Sequence, residues 1–143
     1  MIRTAFIIAA LFAAPAAAAD GPALYKRCAA CHLPTGAGVP GAYPPLKADV
    51  RALAGKAEGR RYLILAVTRG LAGPITVEGK AYRGVMPAQV LKDDEVAAVL
   101  NHVVTTVAGG KGAFTADEVA AVRAEGGKLS ASAVAALHDA AAR

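Results

Sequence analysis

Apolar and polar residues alternate along this chain in three distinct ways. Ala5 to Ala14 (AFIIAALFAA) is a continuous run of ten apolar residues behind the short basic start Met1–Arg3. Further on, Val96, Val99, Leu100 and Val103 recur at three- and four-residue spacing, which predicts an amphipathic helix. A shorter helical pattern starts at Pro22 and runs through Leu24, Tyr25, Lys26 and Arg27. The third pattern is extended. Ile75, Val77 and Tyr82, interrupted at Gly79, predict a small hairpin. No parallel-sheet pattern is present.

Punctuation places the remaining boundaries. Ala108-Gly109-Gly110-Lys111-Gly112 is a break. Beyond it, Thr115 and Glu118 form a capping-box pattern with a Phe114–Val119 hydrophobic staple. That helix should run to about Ala124 and stop at Gly126-Gly127, and Ser130 can cap a second, alanine-rich helix to the C-terminus. These helices are short and weakly apolar, and the reading favours a loosely attached extension over a packed or partner-docking one.

The first apolar run is too short to span a bilayer, which takes about 20 apolar residues. Pro15 interrupts it, and Ala17-Ala18-Ala19 supplies small residues at both recognition positions of an export cleavage site. Residues 1–19 therefore read as a secretory signal peptide cleaved before Asp20; retention as an anchor is the alternative. Cleavage sharpens the composition. It removes Phe6 and Phe12, leaving Tyr25, Tyr43, Tyr62, Tyr82 and Phe114 as the aromatics, with no Trp in the chain. Met86 becomes the one remaining methionine. So small a domain with so few bulky side chains has little core of its own.

The chain's 143 residues bound it to about one domain, and its hydrophobic fraction of 55% excludes a disordered tail protein. Charge is uneven. Residues 20–109 hold eleven Lys/Arg against seven Asp/Glu, while residues 110–143 hold four of each. An exported chain without a basic stripe is no candidate for nucleic-acid binding.

The only cysteines are Cys28 and Cys31, and His32 follows directly. Zinc would need four ligands, and His102 and His138 lie too far away at the wrong spacing. A thioredoxin-like dithiol would need a preceding strand in a βαβ unit. A structural disulfide here would close only a tiny loop. Covalent haem attachment fits directly: two thiols one helical turn apart can meet the two vinyl groups of one porphyrin, and the adjacent imidazole can face the iron.

A low-spin haem iron also takes a sixth ligand, and Met with His raises the potential. Met86 sits in Tyr82-Arg83-Gly84-Val85-Met86-Pro87, where Gly84 and Pro87 predict a loop. His102 falls on a helix face, and His138, in the alanine-rich tail, reads as a surface residue.

On Cys28-Ala29-Ala30-Cys31-His32, Tyr43-Pro44-Pro45-Leu46 and Gly84-Val85-Met86-Pro87, in that order, the chain resembles the class I monohaem cytochrome c family of bacterial periplasms, over about residues 20–108. The resemblance implies an all-α cytochrome c fold with a small hairpin insert before the Met-ligand loop and a C-terminal helical extension. The domains implied are a signal peptide at 1–19, a cytochrome c domain at 20–109 and the extension at 110–143.

It further implies one covalent haem c on Cys28 and Cys31, with His32 and Met86 as axial iron ligands. The Pro44 carbonyl would accept a hydrogen bond from the His32 ring, with Pro45 leaving the register open by one, and Leu46 would pack on the haem. Arg60–Val67 fits the middle helix. Leu53, Leu63, Leu65, Val67, Leu71, Ile75, Val85, Leu91 and Leu100 would line the haem or lie one layer behind it, and the apo-protein would be largely unfolded.

Two departures stand out. Leu24 occupies the place of a first-helix aromatic, with Tyr25 one later, and His102 occupies the place of a last-helix aromatic. Lys92 also replaces a helix-capping Ser or Thr, so Asp93 is expected to cap.

The implied function is periplasmic electron transfer, with partners such as a periplasmic dehydrogenase, reductase or terminal oxidase and no membrane anchor after cleavage. Lys26, Arg27, Lys47 and Arg83 would either steer an acidic partner or serve as ordinary surface charge. A subunit of a dehydrogenase or reductase complex, and an open-site haem enzyme or sensor, are the alternatives.

Overall fold

The computed structural model describes residues 18–143; the signal-peptide run and most of its cleavage region lie outside the described residues. Asp20 opens α1 (Gly21–His32) by accepting a hydrogen bond from the Ala23 amide, with Pro22 in the first turn where no donor is needed. After a loop come α2 (Ala48–Ala54) and α3 (Ala57–Arg69), then an antiparallel hairpin of β1 (Leu71–Val77) and β2 (Lys80–Met86). Helix α4 (Asp93–His102) continues into a π-helical turn at Val103–Val107. Three helices follow: α5 (Ala116–Glu125), α6 (Ala131–Ala136) and α7 (His138–Ala142).

The hairpin is longer than its sequence pattern. Its two-residue turn, Glu78–Gly79, has positive φ at both positions, which suits the strands' twist. Pairing extends to Leu71 opposite Met86, so Met86 ends a strand instead of lying inside a loop. Pro87 stops the ladder because it has no amide to donate.

Helices α1 and α4 pack at Gly21, where a Cβ would stand 2.5 Å from the Ala98 carbonyl oxygen. Close by, the Tyr25 and His102 rings lie 5.3 Å apart. Shifted by one residue on α1 and replaced by an imidazole on α4, this pair is the aromatic contact between the first helix and α4. The start of α4 departs from expectation. Lys92 is the N-cap, its amide donates to the Glu95 carboxylate at 2.8 Å, and Asp93 is drawn off to Arg123 at 2.8 Å.

The C-terminal helices are not loosely attached. Val119 and Val134 are wholly buried in the same core as Ile64, Leu65 and Val96. Arg60 binds Glu118 and lies 4.0 Å over the Phe114 ring. Arg69 donates two hydrogen bonds, at 3.0 and 2.8 Å, to the Leu129 carbonyl. Asn101 holds the Phe114 amide and carbonyl at 2.8 and 2.9 Å. Thr115 and Ser130 cap α5 and α6, but the Glu118 carboxylate is taken by Arg60, so only half of the capping box forms. The last helix is also broken at Leu137.

Candidate functional site

Helix α1 presents Cys28 and Cys31 half-buried and unlinked, one turn apart, with His32 at its C-terminal end. Burial pushes the Cys28 thiol up, against the weaker downward pull of Arg27. His32 is buried, and its Nδ1 lies 2.8 Å from the Pro44 carbonyl oxygen. As that carbonyl can only accept, Nδ1 carries the proton and Nε2 keeps its lone pair. Burial holds the imidazole below its ordinary range and outweighs the opposite effect of the Pro44 bond, so the neutral ring is favoured.

The loop that brings Pro44 to His32 depends on Gly38. Its φ is +65°, its amide donates to the His32 carbonyl, and a Cβ there would lie 2.7 Å from the Pro44 oxygen. Tyr25 seals the same corner by donating to the Leu33 carbonyl at 2.9 Å.

Two adjoining cavities share His32, Pro44, Leu71, Ile75 and Met86. The inner one encloses about 740 Å³ and the mouth about 550 Å³, open space included. Cys28 and Leu46 line the inner cavity, and Cys31, Tyr43, Val85 and Pro87 line the mouth. Cys28, Cys31, His32, Pro44, Leu46 and Met86 are thus gathered around one slot.

Of the expected lining, Leu53, Leu63, Val67, Leu71, Ile75 and Leu100 face the inner cavity. Leu65 packs instead against Gly126 in the core, Leu91 is buried away from both cavities, and Val85 stands exposed at the mouth. Lys47 is committed to the Val107 carbonyl at 2.9 Å, so it is no free cation of a surface ring.

Sequence reasoning missed three polar residues. Asp49, Tyr62 and His138 all line the inner cavity. His138 is a correction: it is 2% exposed, not a surface residue, because α7 packs onto α2 and α3. Its only local signal was the neighbouring Asp139.

The slot tests whether the donor set fits a haem. An apolar cleft suits a macrocycle, two thiols one turn apart suit its vinyl groups, and a neutral imidazole and a thioether suit its iron. The Cytochrome c family model matches residues 18–106. The chain belongs to the cytochrome c family.

Two curated relatives agree, both cytochromes c-552 of Thermus thermophilus. One is 44% identical over 131 residues, covering 87% of this chain and 88% of its own. The other is 47% identical over 113 residues, covering 75% of this chain and 86% of its own. The cytochrome is accordingly a monohaem class I protein that carries covalent haem c and transfers electrons. Among the described residues, no helix is long and apolar enough to cross a membrane.

Proposed function

We propose that this cytochrome is a periplasmic carrier whose iron is held by His32 and Met86, with thioethers at Cys28 and Cys31, and which breaks no substrate bond. The observation carrying the proposal is that His32 and Met86 line both halves of one slot while the backbone fixes each from behind. His32 is oriented by the Pro44 carbonyl at 2.8 Å. Met86 is held by its pairing with Leu71, and the loop after it by the Gln89 amide, 2.8 Å from the Val67 carbonyl.

When bound, haem supplies a one-electron couple. The chain's own residues supply the rest. Leu46, Leu53, Leu63 and Leu100 exclude water, and the rigid ligand supports keep rearrangement on electron transfer small. Tyr43, Val85 and Leu33 are exposed apolar residues, the first two at the mouth. They suit short-lived contact with a redox partner such as a dehydrogenase, reductase or terminal oxidase.

The test is an optical spectrum of protein exported from a host that makes c-type haem. Covalent haem with the weak far-red band of ferric iron bound to methionine sulfur is expected. Met86→Ala should abolish that band and lower the reduction potential. A high-spin ferric spectrum in the unaltered protein would remove Met86 from the iron.

A further inference from the structure

Two walls of the inner cavity meet at its rim. Leu71, Ile75 and Val77 of β1 form one, and Asp49, Val50 and Leu53 of α2 form the other. The hairpin wall is held unequally along its length. At its root, β1 leaves α3, and its outer side packs against α6 and α7. β2 pairs with β1 and is otherwise exposed, apart from buried Tyr82 and half-buried Met86. At the tip, the Glu78 carboxylate accepts a hydrogen bond from the Ala48 amide of α2 at 3.1 Å. Among the described residues this is the one hydrogen bond between the hairpin and residues 33–54.

Glu78 breaks a local rule to make that bond. It is the first residue of the two-residue turn, with φ +50°. Glycine takes this conformation freely, and asparagine or aspartate can support it with a short side chain bonded to the local backbone. A glutamate does neither. What its longer side chain adds is reach, and the reach is used on Ala48, 30 residues away. Strain kept at one position for a distant contact points to a role for the contact. The far side is firm. Just before Ala48, the Leu46 amide donates to the Gly36 carbonyl at 2.8 Å, and the Lys47 ammonium binds the Val107 carbonyl at 2.9 Å. On the near side, Val77 adjoins Glu78, is 3% exposed, and lines the inner cavity.

We propose that Glu78 is a positioning residue, a latch that draws the hairpin wall onto the α2 wall and keeps the seam between them closed to water. This rests on the haem site described above. Water that reached the slot through the seam would stabilise the extra positive charge of ferric iron. A closed seam therefore favours the ferrous form and raises the reduction potential.

The test compares Glu78→Gln with Glu78→Gly in the full-length holo-protein. Both remove the same negative charge. Gln keeps an oxygen that can accept from the Ala48 amide; Gly loses it but relieves the turn, so folding is not at risk. Amide hydrogen exchange at Ala48 should be about threefold to tenfold faster in Glu78→Gly than in Glu78→Gln, the weight of one hydrogen bond. The midpoint potential of Glu78→Gly should lie below that of Glu78→Gln, and its circular dichroism in the haem region should change. A residue that only shapes the turn predicts otherwise: a higher thermal midpoint for Glu78→Gly, with equal potentials in the two variants. Equal potentials, or equal Ala48 exchange, overturn the proposal. Covalent haem retained in those samples would confine the failure to Glu78, whereas its absence from the unaltered protein would overturn the haem site itself.

Discussion

Gly70 shows how much a single hydrogen atom can decide near the Met86 position. It ends α3 with φ +75°, and a Cβ there would stand 2.8 Å from the Ala88 amide nitrogen and closer still to the Met86 carbonyl oxygen. Those neighbours are backbone, so nothing can swing aside, and the left-handed conformation adds strain for any other residue. Gly70→Ala should push the Met86 strand end outward. The expected result is a weakened methionine–iron band and a lowered potential, with covalent haem retained; the far-red absorption of the purified variant checks it. The grouping of Cys28, Cys31 and His32 is legible in the sequence because it is local, the spacing of one helical turn. Gly70 and His138 are not. Their surroundings depend on what the chain brings back to them, Met86 16 residues later for Gly70 and Asp49 89 residues earlier for His138.

Among the elements, the hairpin and the C-terminal helices differ most from their sequence patterns. Gly84 and Pro87 flank Met86 with loop signals, yet antiparallel pairing extends the strand to it because Leu71 lies opposite. The alanine-rich helices looked weak since each has only a narrow apolar stripe. Tertiary contact makes up the difference: Val119 and Val134 are wholly buried, Arg69 ties down the loop at Leu129, and Arg123 of α5 reaches back to the Leu91 carbonyl. Val134→Ala should destabilise the holo-protein by about 2 kcal/mol, two buried methyl groups plus an incompletely collapsed cavity. Thr115→Ala should cost about 1 kcal/mol, the loss of one helix cap. Chemical denaturation followed by circular dichroism would measure both. An effect near zero at Val134 would mean that α6 frays from the body in solution.

Across the whole molecule, proton binding and tail docking are linked. The His138 imidazole is held above its ordinary value of 6.5, chiefly by its hydrogen bond to Asp49. A group raised in the folded state adds stability that is fully present below its unfolded value and is lost as pH rises through the folded one. The thermal midpoint should therefore decline from the acid side of neutrality upward, and His138→Gln should flatten that decline. Scanning calorimetry of both proteins between about pH 5 and about pH 9, a span around the histidine range, checks this.

The His138–Asp49 contact also imposes an order in time. It closes a loop of 89 residues, the kind of contact whose entropy cost is met last. The last helix thus supplies one wall of the cleft, and that wall is the part of the lining whose formation waits on the whole chain.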